Sequence, residues 1–314
     1  DPRTATTAWS ENPALMVRHV LTHPQFGKRT AMTAAEDARI TAAANACDVS
    51  TVYTVDGVAQ TARALYTAAI VLPFGGPARD ALDDLAQAMA GQWAYAGGEF
   101  HLRAGGYTAS VLTLTDADLA VVQRDQDGSE NQSPVNITTH RARDQMFNVV
   151  TATIWDAAQD YKQTTLTPLK GAALITRDGV ELVQDVQMPA VGYAPQALHI
   201  SGIMLRDARD PMAVALPFKL SAYRVELFDT ISLTLARYGW TAKTFIVLGR
   251  EWSGDGSILL TLKETAAAIF TMDADFEPQG AAENTALPSP WDIDPPTITS
   301  IAARPSVLSD GSLV

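Results

Sequence analysis

The sequence predicts an α+β protein, in which a helix-containing α/β region is followed by an antiparallel β-barrel or β-sandwich. Apolar residues recur with helical spacing mainly in the first 124 residues, whereas short runs beyond residue 211 alternate with a period of two. Short strands with turn signals between them are typical of barrels and sandwiches. The 314 residues, 47% of them hydrophobic, indicate a folded chain of about two domains.

Two helices are predicted near the start, each with its own capping signal. Asn12 followed by Pro13 combines an N-cap with a first-turn proline, and Pro24 cannot continue that helix. Thr33 and Glu36 form a capping box, which predicts a second helix through about residue 45.

A third helix is predicted after Gly75-Gly76-Pro77. Its apolar residues at positions 82, 85, 86 and 89 form one stripe. Gly91 is expected to end this helix in a left-handed cap.

A hairpin is predicted over Trp93–Arg103. Aromatic and apolar residues alternate on both sides of Gly97-Gly98, a pair that permits the positive φ angles of a two-residue turn. Gly105-Gly106 breaks the strand, Ser110–Leu114 resumes it, and Asp116–Leu119 is predicted as a short helical turn.

The second region is predicted to be mostly β, with one helix. A strand at 149–155 is apolar on both faces, a second strand over Val180–Met188 follows the Asp178-Gly179 turn, and the helix covers Pro195–Arg209. Further strands are predicted at 212–218, 231–235, 244–249 and 258–263.

These elements suggest five segments. Residues 1–124 are predicted as an α+β domain with the Gly-Gly hairpin, 125–134 as an exposed loop and boundary, and 135–275 as a mostly antiparallel β-barrel domain. Residues 276–296 are predicted as a proline-rich linker, and 297–314 as the start of a fibronectin-type β domain.

Charge and cysteine content exclude several classes of protein. Lys and Arg number 23 and Asp and Glu 35, so the net charge of −12 counts against nonspecific nucleic-acid binding. Cys47 is the only cysteine, which excludes an internal disulfide and a Cys-rich zinc site and predicts a buried, inert thiol. No run approaches the roughly 20 apolar residues that span a bilayer.

The histidines do not predict a metal site. The five are His19, His23, His101, His140 and His199. His19 and His23 have the i, i+4 spacing of a zinc-binding helix, but no Glu follows His19 and no third ligand is near in sequence. A surface pair at a helix end is the favoured interpretation, and no metal or cofactor is expected.

Carboxylates cluster in three places: on the third helix, at the short helical turn and in the polar loop. They are Asp80, Asp83 and Asp84; Asp116 and Asp118; and Asp125, Asp127 and Glu130. The first set is interpreted as a solvated helix face and the second as a cap pair. The third resembles a calcium loop only loosely, because it lacks the terminal bidentate Glu.

No catalytic residue is predicted. The glycine pairs match neither a dinucleotide-binding nor a Walker motif, and no G-x-S-x-G nucleophile elbow is present. The strand aromatics are expected to fill a barrel core; they are Trp93, Tyr95, Phe100, Tyr107, Trp155 and Trp240. The absence of a visible active site favours a structural role.

Four segments together resemble the tail-tip attachment protein (J-type), or central tail hub protein, of long-tailed phages. They are NPA at Asn12 through HPQFG at His23; GQWAYAGGEFHLRAGGYTASVLTLTDADL at 91–119; NVVTATIWDAAQDY at 148–161; and the G-W-x-x-K-x-F strand with its D-G-S hairpin between Gly239 and Met272. The resemblance covers about residues 10–275.

The resemblance implies a structural virion subunit at the distal tail tip, in a ring of three copies. Such a hub closes the tail tube and binds the distal tail protein, other tail-tip proteins and the end of the tape-measure protein. Its acidic wall would let DNA pass through the lumen without specific binding. Contact with a host receptor would come through C-terminal domains that this sequence does not include.

Two alternatives from other classes stay open. One is a tail-associated cell-wall hydrolase or glycosidase module, which a cleft with two opposed carboxylates would favour. The other is a receptor-binding module, which a binding loop at Asp125–Pro134 or in the C-terminal tail would favour.

Overall fold

The computed structural model describes residues 1–25, 27, 31–72, 76–120, 135–139, 146–209, 212–254, 256–273, 276, 300 and 306–312. The chain divides into two compact units, Asp1–Gly280 and Ala281–Val314. The second unit contains a tight turn, in which the N–H of Leu308 donates to the carbonyl of Ser312 at 2.8 Å. Among the described residues, no helix is long and apolar enough to cross a bilayer.

Within the described residues, the first unit has five α-helices, and all but α4 begin within one residue of a predicted start. They are α1 (Pro13–Thr22), α2 (Ala34–Cys47), α3 (Ala78–Ala88), α4 (Ala172–Asp178) and α5 (Ala194–Asp207). Asn12 Oδ1 accepts the first-turn N–H groups of α1 at 3.0 and 3.3 Å. Thr33 and Glu36 exchange side-chain to backbone hydrogen bonds at 3.2 and 2.7 Å, so the predicted capping box is confirmed.

The end of α3 differs from the prediction. Its apolar stripe is buried as expected, but Ala90 and not Gly91 has the left-handed conformation, with φ of 46°. A Cβ at Gly91 would lie 2.2 Å from the carbonyl oxygen of Arg103. Position 91 therefore requires glycine because the backbone at Arg103 approaches it closely, and not because of its own φ angle.

The strands of the first unit range from two to thirteen residues. They are β1 (Ser50–Thr51), β2 (Thr54–Val55), β3 (Val58–Ala59), β4 (Arg63–Ala64), β5 (Gln92–Ala96), β6 (Glu99–Arg103), β7 (Leu112–Thr115), β8 (Asn136–Thr138), β9 (Val149–Asp156), β10 (Lys162–Thr165), β11 (Leu169–Lys170), β12 (Val183–Met188), β13 (Ala213–Phe218), β14 (Thr230–Leu235), β15 (Trp240–Trp252) and β16 (Ile258–Glu264).

The predicted hairpin is confirmed as β5 and β6. Ala96 pairs with Glu99 across the turn, and Gly97 and Gly98 have φ of 63° and 87°. Both angles fit the type I′ turn, which matches the twist of the flanking strands.

A six-stranded sheet with the order β7-β14-β15-β16-β13-β8 forms the larger β structure. It is antiparallel except at β7, which runs parallel to β14. Beyond β7, Leu119 forms a single bridge to Phe218 at the end of β13, the strand next to the edge strand β8, and the N–H of Ala120 donates to Pro217 at 3.0 Å. The N–H of Lys219 also donates to Asp118 at 2.8 Å, but β7 and β8 do not pair in the described residues. The α+β class is therefore confirmed, but the sheet is not a closed barrel.

A smaller sheet surrounds β9, with β10 and β11 along one edge and β12 along the other. β12 runs parallel to β9, and the connection between them includes α4, which the sequence analysis did not predict. The predicted Asp178-Gly179 turn is the end of this helix: Gly179 has φ of 73°, and its N–H donates to Ile175 at 2.8 Å. The expectation of a single helix in the second region is therefore wrong.

Two hydrophobic clusters form the interior of the first unit. One combines α1, α2, α3 and β6 with β9 and α5; ten of the 14 residues of α5 are buried. The other lies on the six-stranded sheet and includes Leu114 of β7. Both clusters thus draw on residues before and after 125–134, a segment that lies outside the described residues.

Candidate assembly surface and clefts

The carboxylates of α3 lie on its outer face. Asp80 and Asp83 are exposed, and Asp83 accepts the indole N–H of Trp93 at 2.7 Å and lies 3.6 Å from Arg79. Asp84 is half-buried, and this burial, with the nearby Asp80 and Asp83 charges, raises its pKa. Asp83 therefore ties α3 to β5, and the three carboxylates share one helix and do not face one another across a cleft.

The second carboxylate pair has structural partners. The Asp118 carboxylate accepts hydrogen bonds from the backbone N–H and the hydroxyl of Thr115 at 2.9 and 3.0 Å. The bond from the backbone N–H is the main cause of the lowered pKa of Asp118. Asp116 accepts the N–H of Ala236 at 2.7 Å. The pair therefore joins the end of β7 to the end of β14. The candidate loop residues Asp125, Asp127 and Glu130 lie outside the described residues.

The histidines are dispersed in the described structure. The rings of His19 and His23 meet edge to face, with centroids 4.9 Å apart. Burial, and secondarily His23, lowers the pKa of His19. His199 is 2% exposed, and burial lowers its pKa to about 4. His140 lies outside the described residues; within them, no three His, Cys, Asp or Glu side chains are grouped as metal ligands.

Cys47 is buried, as predicted. Its Sγ lies 3.9 Å from Met89 Sδ, and burial raises the pKa of the thiol to about 12. A thiol in this environment has very little thiolate at neutral pH and is a poor nucleophile.

Of the six strand aromatics, Trp240 packs against the cluster of the six-stranded sheet, with its ring 5.4 Å from that of Phe245, whereas the others do not form a barrel core. Tyr95 and Tyr107 are 61% and 40% exposed. The largest buried aromatics are instead Tyr53, Tyr66, Phe218 and Phe245. The prediction was wrong for the hairpin aromatics because the hairpin lies on α2 and α3 rather than inside the six-stranded sheet.

A group of large side chains on the 3₁₀ turn Leu220–Arg224 and on β15 is called here the aromatic patch: Leu220, Tyr223, Arg250 and Trp252. The rings of Tyr223 and Trp252 are 5.7 Å apart, and the Arg250 guanidinium lies 6.0 and 5.8 Å from their centroids. Leu220, Tyr223 and Trp252 are each more than half exposed. Trp, Tyr and Arg are the residues most enriched at interface hot spots, so the patch has the composition of a protein contact surface.

A cleft of about 290 Å³, called here the ionic cleft, adjoins the patch and shares Arg250 and Trp252 with it. Within it, Arg39 of α2 pairs with Glu99 at 2.8 Å and with Glu226 at 2.7 Å. His101 is 8% exposed there, and burial, reinforced by Arg39, lowers its pKa. These ion pairs connect α2 and the hairpin to the loop before β14.

A larger cleft of about 700 Å³, called here the Arg103 cleft, lies between α3, the hairpin, α5 and the strands β15 and β16. Its charged lining consists of Arg79, Arg103, Lys263, Asp83 and Asp207. Lys263 forms a close ion pair with Asp207, and burial lowers the pKa of Arg103. Asp83 and Asp207 are thus the two carboxylates of this cleft, and each already has a cationic partner.

Sequence reasoning did not find the patch or either cleft. Arg103, Asp207 and Lys263 are separated by more than fifty residues from one another, and only the packing of β6, α5 and β16 brings them together. The one available signal was the alternation of Arg250 and Trp252 on β15, which places both on the same face.

A family model described as a putative phage tail protein matches residues 77–244. No curated protein matches the chain.

Three solved structures are among those similar in fold. A chain from the virion of a native gene transfer agent particle has a TM-score of 0.51 and 16% identity, over 72% of this chain and 46% of that chain. The tail protein from Neisseria meningitidis MC58 has a TM-score of 0.42 and 17% identity, over 77% and 69%. The prophage tail protein gp18 from Listeria monocytogenes EGD-e has a TM-score of 0.33 and 9% identity, over 68% and 58%. The chain spans about half the length of the first of these.

Proposed function

Since this chain belongs to the family of putative phage tail proteins, we propose that it is a structural subunit of the tail tip, where it helps to close the tail tube. Its membership makes it a tail protein of the virion. The family match, which covers more than half of the 314 residues, is the observation that carries the proposal. The likeness in fold to a chain of a gene transfer agent virion supports the proposal that this chain is part of a virion-like particle.

The proposed subunit assembles as a ring of three copies around a central channel. The motivation is the resemblance to tail hub proteins, together with the exposed aromatic patch, which offers apolar area to bury between chains. A ring uses one head-to-tail interface repeated by rotation, and three copies close after rotations of about 120°. The proposed partners are the distal tail protein, other tail-tip proteins and the tape-measure protein.

The acidic charge suits a channel through which DNA passes without specific binding. The net charge of −12 repels the phosphate backbone, whereas a basic wall would retain it by counterion release. Receptor binding is assigned in this proposal to domains outside this sequence.

The test is the number and position of copies in the intact particle, measured by electron cryomicroscopy. Three copies around a channel at the distal end of the tail support the proposal. Six copies in a ring, one copy on the axis, or a location along the tail tube contradict it.

A further inference from the structure

We propose that the Arg103 cleft binds an extended, carboxylate-bearing segment of another tail subunit, which adds a strand to the free edge of β5 and places its carboxylate on Arg103. The inference rests on the proposed function, because the partner is another chain of the same assembly. Three features of the cleft support it: a strand edge, a cation and apolar walls.

The strand edge is the outer side of β5. A two-residue turn makes Ala96 and Glu99 a hydrogen-bonded pair, and such pairs alternate along an antiparallel ladder. Trp93 and Tyr95 therefore direct their N–H and C=O groups away from β6. No described strand pairs with that side, since β5 and β6 form a two-stranded sheet. β5 also lines the cleft from Gln92 to Tyr95.

The cation is Arg103. Its Nη2 donates to the carbonyl of Gly106 at 2.8 Å, and no carboxylate in the described residues lies within ion-pair distance of its guanidinium. An arginine cannot release its proton, so a desolvated guanidinium is stabilised only by an anion or by further acceptors. The charges of Asp229 and Asp207 act on it only through space, and Asp207 is paired with Lys263.

The apolar walls come from α5 and from the segment after β16. Ile203, Met204 and Phe270 line the cleft, and the Arg103 guanidinium lies 5.9 Å from the centroid of Phe270. The three cations of the lining outnumber its two carboxylates, in a chain that is acidic as a whole. The cleft therefore complements a segment in which apolar side chains alternate with carboxylates.

The strand edge favours a peptide over other carboxylates. Strand addition satisfies unpaired N–H and C=O groups together, and pockets for alternate side chains then give selectivity. A fatty acid or an inorganic anion could use Arg103 but could not pair with both kinds of backbone group.

Binding is measured with the full chain and three labelled probe peptides by fluorescence anisotropy. The first is acetyl-Val-Glu-Val-Glu-Val-amide, the second replaces both Glu by Gln, and the third carries N-methyl groups on alternate residues of the first. We expect the Glu peptide to bind about tenfold or more tightly than the Gln peptide, because a charge-assisted bond is replaced by a neutral one. N-methylation should abolish binding, since it removes the donors that pair with β5.

The Arg103→Gln variant should lose the preference for Glu over Gln, whereas Arg177→Gln, the same charge change on exposed α4, should keep it. Thermal unfolding checks that both variants are folded. If Arg103→Gln is unfolded, the comparison of the N-methylated and unmodified peptides on the native chain still tests whether the peptide adds a strand to β5.

Equal binding of the N-methylated and unmodified peptides, or no preference for Glu, overturns the inference. Binding of dodecanoate with no binding of the Glu peptide also overturns it and identifies a lipid site instead. Three copies in the tail tip combined with no peptide binding would leave the proposed function intact and contradict only this inference. Peptide binding by a chain located elsewhere in the tail would contradict the proposed function alone.

Discussion

Arg209 and Asp178 form an ion pair that joins the residues following α5 to the last turn of α4. Arg209 Nη1 donates to Asp178 Oδ1 at 3.1 Å, and Nη2 forms a second, closer bond to Oδ2. Asn148 also donates to Asp178 at 2.9 Å. The Arg209 side chain is 8% exposed, so the fold depends on this carboxylate to neutralise a nearly buried charge.

Asp178→Asn should destabilise the protein at neutral pH, because it leaves Arg209 without its counter-charge. Denaturant unfolding gives the free energy of unfolding. Glu181→Gln is the matched control, since Glu181 pairs with Lys170 at 2.8 Å but both side chains are about half exposed. The control should change stability by no more than about 0.5 kcal/mol. Equal effects of the two variants would contradict the assigned role.

Asp178 should also give the protein an acid-sensitive stability. Arg209, and then Asn148, lowers its pKa from 3.8 to about 2. A depressed carboxylate pKa stabilises the fold above pH 4, and this contribution is lost as the pH falls from about 4 to 2. In that window the wild type should lose stability more steeply than Asp178→Asn, as measured by urea unfolding at each pH.

His199 should make stability depend on pH in a higher window. Its pKa is lowered from 6.5 to about 4 by burial, with the Arg206 charge adding to the effect, so the folded protein holds the neutral ring. As the pH falls from 6.5 to 4 the unfolded chain binds the proton first, and stability should drop by about 3 kcal/mol at most. His199→Phe keeps a ring against Tyr66 and should flatten the slope. An unchanged slope would show that other groups, such as His101, cause it.

Gly91→Ala should cost about 1–3 kcal/mol of unfolding free energy, because the added methyl group meets the backbone of β6. Gly106→Ala is the control on the same side of the hairpin: a Cβ there has nothing within 4 Å. Thermal and denaturant unfolding compare the two. A tolerated Gly91→Ala would mean that β6 can shift away from the end of α3.

Trp252→Ala should reduce incorporation of the protein into tails while leaving its own stability within about 0.5 kcal/mol, because Trp252 is half exposed and its partner would be another chain. Val71→Ala is the control, since Val71 is apolar and 94% exposed but does not belong to the aromatic patch. Quantitative mass spectrometry of purified particles measures the incorporation. Normal incorporation of Trp252→Ala would show that the aromatic patch is not an assembly surface.

The protein should not hydrolyse peptidoglycan or polysaccharide. Asp83 and Asp207 line one cleft, but Asp83 accepts from Trp93 and Asp207 is paired with Lys263. A glycosidase needs one carboxyl that donates a proton and another that is free to act on the sugar or water. Zymography and reducing-sugar release test this; turnover that disappears in Asp83→Asn or Asp207→Asn would establish the hydrolase alternative.

Local rules predicted the elements whose signals lie within a few residues. The cap at Asn12, the box of Thr33 and Glu36, the Gly97-Gly98 turn and helix α5 all follow from neighbouring side chains and backbone angles. Helix α4 was missed because seven residues give too short an apolar period to distinguish a helical end from a turn.

Pairings between distant strands could not be predicted in the same way. Leu112 lies beside Ile231 in a parallel pair, and Val149 lies beside Val183 in another. Alternation of apolar and polar side chains indicates that a strand has a buried face, but it does not indicate which strand lies next to it. The open sheet, the aromatic patch and the Arg103 cleft all follow from those pairings, and so they became visible only in three dimensions.

The mixed origin of the two hydrophobic clusters determines when this chain can fold during synthesis. Ala14 and Leu85 share a cluster with Ile154 and Ile200, so the first helices emerge from the ribosome long before the surface that covers them. The same cluster also includes Phe276. Since domains generally fold as units and exposed apolar surface aggregates, we expect the nascent N-terminal half to need shielding until about residue 276 has been translated. The yield of soluble protein should therefore depend on translation rate and chaperone supply more strongly than its equilibrium stability would suggest.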